Sequence, residues 1–348
     1  TTSPPLLAGC VKMTKRYSMK IFRAEPSHWH RLCDVKIGLV DSLFVKREQL
    51  KPGFNRRMFD EDFARLFHSM NRRSDNLFEI VSNNDKLMQK LLGNVRTRYA
   101  PHSVNETIRE LVEEIAQSLI WFGRAYYFLH DDREQEEVHV ASFSSGGVVR
   151  LFGTHIQWVP KRRERHWDRE DEELPREIRI LDAAKVMRFD MPISIKRMLS
   201  AQNRTLAVLD KHQFGETNFH PQATHVNPNP TNHFDFRVWR DTQERALYHA
   251  TRSTGWNGRK YDSSKCSDFF NCHRLIRFRR NQLLLRDDIL SQLSSEFSRV
   301  GKGYKAEFSV EISGTDELPS VAHLNELEVK LAREEVGFNE IIDYCYKG

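Results

Sequence analysis

Residues 103 to 132 read SVNETIRELVEEIAQSLIWFGRAYYFLHDD, and the spacing of the apolar side chains changes once within this stretch. Ser103 and Glu106 have the Ser-x-x-Glu spacing of a capping box, in which the hydroxyl and the carboxylate each satisfy an orphan amide at a helix start. Val104, Ile108, Leu111, Val112, Ile115, Leu119 and Phe122 then recur at steps of three and four. Asn105, Arg109, Glu110, Glu113, Glu114 and Gln117 fill the other face, so the spacing predicts an amphipathic helix with one buried stripe. Gly123 breaks that period. Arg124 to Leu129 is short and aromatic-rich, the composition of a strand, and His130-Asp131-Asp132 is expected to turn the chain.

Beyond this unit, Val138 to Phe143, Val148 to Leu151 and Ile156 to Val159 read as short strands divided by Ser144-Ser145-Gly146-Gly147 and by Gly153, which predicts an antiparallel meander. Ile178 to Leu181 and Lys185 to Phe189 supply two more candidate strands. On the N-terminal side, Met58, Phe59, Phe63, Leu66, Phe67 and Met70 form one helix face ending before Asn71-Arg72-Arg73-Ser74. Asn84 to Leu92 reads as a short helix stopped by Gly93. Residues 1 to 56 mix strand and helix periods and support no assignment: Val35, Ile37 and Leu39 alternate, while Val40, Leu43, Phe44 and Val45 fit either pattern.

In the second half, Pro192, Pro221, Pro228 and Pro230 between Met191 and Asn232 predict a long irregular connection. Asn232 is a candidate cap for a helix that carries Phe236, Trp239, Leu247 and Ala250 and ends at Gly255-Trp256-Asn257-Gly258. Asp262 to Phe270 reads as a compact connector. From Asn271 to Val300 the longest helix is expected, roughly 40 Å at 1.5 Å per residue. Ile276, Leu283, Leu290 and Phe297 recur there one heptad apart, with Leu293 and Val300 on the adjoining ridge. Gly301-Lys302-Gly303 ends it, Tyr304 to Ile312 reads as a strand, and Leu324, Leu327 and Leu331 mark a final helix broken near Gly337. The fold class is α+β.

The chain has 348 residues, 39% hydrophobic and 29% charged, enough to bury a substantial core in one large or two moderate domains. No segment approaches the roughly 20 apolar residues of a membrane span. The start, Thr1-Thr2-Ser3-Pro4-Pro5, lacks both a methionine and a basic-then-apolar signal layout, and reads as a processed or partial beginning. Five cysteines (Cys10, Cys33, Cys266, Cys272, Cys345) with no CxxC pair argue for a reducing compartment. With 54 Lys+Arg against 48 Asp+Glu the net charge is +6 and the pI near 9.0, compatible with a nucleic-acid partner and with many plain enzymes.

Chemistry-bearing constellations are sparse. His28-x-His30 with Cys33, and Cys266 with Cys272-His273, invite a zinc reading, but neither supplies the two paired ligand sets of a structural site. Asp131-Asp132 with Glu136-Glu137 resembles a two-carboxylate nuclease centre, although acids in a hairpin turn are more often simply solvated. No GxxxxGK[ST] spacing occurs. Lys161-Arg162-Arg163-Glu164-Arg165 and Asp168 to Glu173, around His166-Trp167, read as a solvated excursion between strands or as a subunit-contact loop.

The order of helix, Phe122-Gly123-Arg124-Ala125-Tyr126, strand ending in Trp158-Val159-Pro160, acid-rich insert, and Leu181-Asp182-Ala183-Ala184-Lys185-Val186-Met187-Arg188-Phe189 resembles the wing region of tailed-phage portal proteins. In that family a helix ends in a Tyr-Gly-Asn-Ala-Tyr-like turn, and a later Pro-x-x-Val-x-His-x-like strand closes the same sheet. Arg124 departs from the usual small amide, Arg188 stands where a histidine is common, and the chain is shorter than many relatives. The resemblance is clearest from Val104 to Asp190.

The resemblance implies wing helices and strands over 1–100, an antiparallel wing sheet and irregular arm over 101–232, stem helices with a clip-like connector over 233–300, and a strand with a tunnel-type helix over 301–348. It also implies no catalysis and no cofactor or metal. The expected assembly is a ring, of twelve copies in that family, in the virion and assembled in the host cytoplasm. Double-stranded DNA would pass through the ring, with terminase, capsid and head-completion proteins as partners. Ile276, Leu283, Leu290 and Phe297 would be the stem's packing seam. Arg274, Arg277, Arg280, Arg286 and Lys302, with Arg279 among them, would meet DNA in the channel or acids of neighbouring subunits. Because each phosphate contact strengthens binding, a strongly basic lining would slow moving DNA. The alternative class is a basic nucleic-acid-processing enzyme such as a metal-dependent nuclease.

Overall fold

A computed structural model describes residues 20–27, 38–45, 53–68, 76–97, 103–132, 137–164, 172–211, 236–258 and 267–347. The deciding unit folds as its period requires. Helix α4 (Val104–Phe122) starts at Ser103, whose Oγ accepts the Glu106 amide at 3.2 Å. It ends at Gly123, where φ is 77° and the amide donates to the Leu119 carbonyl at 2.7 Å. A left-handed residue there stops the helix and re-aims the chain, at no steric cost to glycine. Strand β4 (Arg124–Asp132) follows at once.

The turn expected at His130-Asp131-Asp132 is instead the end of β4. His130, Asp131 and Asp132 face His139, Val138 and Glu137 on β5 (Glu137–Ser142). The stacked imidazoles of His130 and His139, with centroids 4.7 Å apart, lie across this pair, so polar residues that suggested a turn continue the ladder. β4 is buried on both faces. Ala125, Tyr127 and Leu129 enter the main core, whereas Tyr126 and Phe128 enter a smaller cluster with Phe143, Val148, Leu181 and Val186. Successive side chains of a strand point to opposite faces, so this strand shows no polar alternation.

The meander expectation is corrected in the same way. One four-stranded sheet has the order β11 (Val186–Asp190), β4, β5, β3 (Val95–Arg96). A second has the order β1 (Lys20–Ala24), β10 (Glu177–Leu181), β7 (Thr154–Val159), β6 (Val148–Leu151). Two parallel pairings, β3 with β5 and β1 with β10, occur among otherwise antiparallel ones. The hairpin strands thus divide between two sheets, because the 3₁₀ turn at Ser145–Gly147 carries the chain across the small core. Tyr126 stacks against Phe143 and meets His155 edge-on, both at 5.8 Å between centroids. The charged excursion forms a ribbon of β8 (Arg162–Glu164) and β9 (Glu172–Leu174).

Helix α2 (Phe54–Ala64) is shorter than expected: Leu66 and Phe67 are buried in extended chain beyond it, and Met70 lies outside the described residues. α1 (Leu39–Phe44) and α3 (Asp85–Leu92) are the other N-terminal helices, the latter capped by Asn84 Oδ1 on the Leu87 amide at 3.3 Å. The expected irregular arm contains a 19-residue helix, α5 (Ile193–Lys211). Pro192 sits at its start, and its carbonyl accepts the Lys196 amide at 2.8 Å. A proline in the first turn loses no helical hydrogen bond, and the remaining prolines fall in 212–235, outside the described residues, as does Asn232.

α6 (Phe236–Thr254) ends at Gly255, whose φ of 84° and close approach to the Arg274 carbonyl leave no room for a Cβ. The connector is shorter than read, since α7 (Asp268–Gly301) begins with Ser267 as cap and takes in Asp268 to Phe270. At 34 residues α7 spans about 51 Å. Tyr304 to Phe308 turn rather than extend, and the strand is β12 (Val310–Gly314), paired antiparallel with β2 (Phe78–Ser82). The C-terminal helix is broken as expected, into α8 (Val321–Ala332) and α9 (Phe338–Cys345). The main core draws side chains from residue 58 to residue 318, so all four segments of the sequence-based division contribute to it.

Candidate functional site

α7 is the element that decides where a functional surface can lie. The heptad stripe expected to pack between copies is filled by the chain itself. Ile276 and Leu283 are buried with Leu324, Leu327, Leu331, Ile341 and Cys345 of α8 and α9. Leu290 and Phe297 are buried in the main core with Leu293 and Val300. A stripe so covered cannot reach a neighbouring copy without opening the subunit.

The margins of this stripe are tied down by polar groups. Ser298 Oγ accepts the Val310 amide and Ser294 Oγ accepts the Ile312 amide, both at 2.9 Å. Helix hydroxyls therefore close the edge of β12 that β2 leaves unpaired, a place where an open ladder would invite aggregation. Near the middle of the helix, Gln282 Nε2 donates to the carbonyls of Asp62 (2.9 Å), Phe63 (3.3 Å) and Arg65 (2.8 Å), satisfying the orphan C-terminal carbonyls of α2. Its Oε1 accepts from Arg279 Nη1 at 3.1 Å.

The arginines do not form one basic face. Arg279 is 1% exposed and donates to the carbonyls of Cys345 (2.6 Å) and Leu66 (3.0 Å). Burial, with Arg286 nearby, pushes its pKa down to about 10. His68 lies edge-on to Tyr346 in the same region, and burial, then Arg279, holds its imidazole neutral with a pKa of about 3. Arg286, expected at the channel or a subunit contact, is 4% exposed and pairs with Asp287 at 2.7 Å. Arg280 pairs with Glu328, which also meets His273 Nε2 at 3.2 Å. Arg274 donates to Asn271 Oδ1 at 3.1 Å and Arg277 to the Arg252 carbonyl at 2.5 Å. Lys302 is exposed at the end of α7. Most of these cations hold the subunit together.

The metal and nuclease readings fare differently. His28, His30, Cys33, Cys266 and Glu136 lie outside the described residues. Cys272 is buried with its thiol toward the Phe338 carbonyl at 3.8 Å, and burial pushes its partner in that cluster, Cys345, up to about 12. Asp131 and Asp132 lie in the β4 ladder, and among the described residues no group of three or more His, Cys, Asp or Glu side chains is placed to hold a metal.

Sequence reasoning missed a second feature, the seat of α1. Buried Asp41 receives Arg176 Nε at 2.6 Å, Arg176 Nη2 at 3.1 Å and Trp158 Nε1 at 2.9 Å. Phe44 stacks on Trp158 at 4.4 Å. Anchored in this way, α1 turns Leu39 (89%) and Leu43 (78%) to solvent, and Phe152, between β6 and β7, is 98% exposed. Asp41 sits among apolar residues that could belong to helix or strand, and its partner is 135 residues away, so no local signal could have found the pair. Leu39 and Leu43 lie one turn apart on α1, so their exposed side chains share a face.

No protein-family model and no curated protein matches the chain. Among solved structures it is similar to the neck of an empty gene transfer agent (GTA) particle, at 12% identity over 84% of this chain and 93% of that one, with a TM-score of 0.37. It is also similar to an HK97-family phage portal protein from Corynebacterium diphtheriae, at 9% identity over 85% and 99% of the two chains, with a TM-score of 0.36. A chain of the native GTA virion gives 11% identity, 85% and 93% coverage and a TM-score of 0.35. Among the described residues, no helix is long and apolar enough to cross a membrane.

Proposed function

We infer that this chain is the subunit of a portal-type ring in a tailed phage or phage-like particle. In that role it lines a channel for double-stranded DNA and offers a docking site to terminase and head-completion proteins. The observation that carries the reading is the closure of the wing-like sheet. The sequence resemblance requires the strand around Val186 to Phe189 to return beside the strand that follows Gly123, and β11 pairs antiparallel with β4 with Arg188 opposite Tyr126. The Met191 amide also donates to the Gly123 carbonyl at 3.3 Å, joining the strand's end to the turn that started the sheet.

The reading places contacts between copies away from the α7 stripe and on exposed apolar groups such as Leu39, Leu43 and Phe152. A head-to-tail contact that closes on itself yields a ring. Native mass spectrometry and negative-stain imaging of the full chain test it: rings of about a dozen copies are expected. A chain that stays monomeric at micromolar concentration, with capsid proteins co-expressed, overturns the reading.

A further inference from the structure

We propose that the crevice between the start of α8 and the middle of α7 binds a carboxylate group. The crevice has a volume of about 460 Å³, and Arg286, Asp287, Thr315, Ser320, His323 and Tyr344 are among the residues lining it. Two side-chain donors line it, and a helix start borders it. Arg286, more than nine-tenths buried, spends Nε and Nη2 on Asp287 Oδ1 (2.9 and 2.7 Å), and Nη2 also reaches the Pro319 carbonyl (2.9 Å). Its Nη1 is buried and has no partner. A guanidinium nitrogen left in this way costs free energy until an acceptor meets it.

The second donor is the Tyr344 hydroxyl. Its oxygen accepts the Ser320 amide at 2.9 Å, which leaves its own proton free for an acceptor in the crevice. The start of α8, a 12-residue helix, borders the crevice through Ser320 and His323. Ser320 Oγ takes the His323 amide at 3.2 Å, so the cap leaves the Val321 and Ala322 amides at the positive end of the helix. His323, which lies 4.3 Å from the Tyr344 ring, flanks the opening.

The charge balance selects the anion. Asp287 and Asp316 also line the crevice. Arg286 is already paired with Asp287 at 2.7 Å, and the Lys347 ammonium sits on the Asp316 carbonyl at 2.7 Å. Two cations thus face two carboxylates, and a dianionic phosphate meets more repulsion than a monoanionic carboxylate. A planar carboxylate also matches a guanidinium and a hydroxyl side by side. The group could come from a small carboxylic acid or from the chain terminus of a bound peptide. This inference is independent of the ring reading.

Titration calorimetry on the full chain at constant ionic strength provides the test, with acetate, inorganic phosphate, the tripeptide Ac-Gly-Gly-Ala as free acid, and the same tripeptide amidated. Saturable binding of acetate and the free-acid peptide is expected, with phosphate at least 5-fold weaker and the amide silent. A peptide affinity tenfold above that of acetate identifies a polypeptide terminus as the ligand, and equal affinities identify a small carboxylate. R286M is expected to abolish binding and Y344F to weaken it about tenfold. Should R286M fail to fold, Y344F decides alone. Unchanged affinity in Y344F, equal binding of acid and amide, or a response that sodium chloride reproduces overturns the proposal.

Discussion

Gln282 and Gln292 lie on the same helix ten positions apart, and replacing each by leucine separates burial from hydrogen bonding as a source of stability. Gln282 is fully buried, donates to three carbonyls at the end of α2 and accepts from Arg279. Its loss removes two donor hydrogens from buried carbonyls, at about 1–2 kcal/mol each, and takes an acceptor from a buried cation, at about 1.5–3 kcal/mol. The expected destabilisation is therefore about 3.5–7 kcal/mol, a large part of a typical domain's stability. Gln292 donates to the Asp190 carbonyl and accepts its amide at 2.9 Å each, and donates to Asp288 Oδ2 at 2.5 Å. It is only half-buried, however, and its bonds to Asp190 are open to water, which replaces them when they are lost. Its replacement should cost under about 1 kcal/mol. Urea unfolding followed by circular dichroism, with m-values compared, measures both. A Gln282→Leu loss under about 1 kcal/mol, or equal losses at the two sites, would refute the claim that this network holds α2 to α7.

Leu290→Asp puts a charge into the main core of the single chain and should cost about 4 kcal/mol or more. Thermal melting with size-exclusion should show an unfolded chain, and a folded monomer would return the heptad stripe to the role of a seam between copies. Ser294→Ala with Ser298→Ala opens the β12 edge at a cost of about 1–3 kcal/mol, and hydrogen exchange should speed up first at the Val310 and Ile312 amides. Asp60 has its pKa raised to about 7, by burial first and then by Glu61, against an opposing effect of Arg56. The folded state holds that proton more tightly, so its stabilising effect is full below the ordinary carboxylate pKa near 4 and is lost as pH rises through 7. Asp60→Asn should flatten the stability profile between pH 4 and 7 and gain about 2 kcal/mol at pH 8, and an unchanged profile would show that Asp60 titrates normally.

The helix from Val104 to Phe122, the break at Gly123 and most strands between residues 124 and 190 were legible because each depends on local chemistry: a serine cap, a 3.6-residue period, a glycine free to take positive φ. Local periodicity also placed the long helix and the heptad stripe within it. It could not say what covers that stripe, since Leu324, Ile341 and Cys345 are brought against Ile276 and Leu283 only when α8 and α9 fold back. Proline read as a breaker hid α5, because a proline that starts a helix and one that ends it are the same letter. The arginines of α7 looked alike in sequence, yet one is buried on carbonyls of distant segments and another pairs with Glu328. Sequence by itself determined those helices and strands that carry their own caps, periods and breaks. Tertiary structure alone decided which sheet each strand joined, which apolar stripe became core and which cations remain at the surface, because those outcomes depend on partners from about forty to more than two hundred residues away.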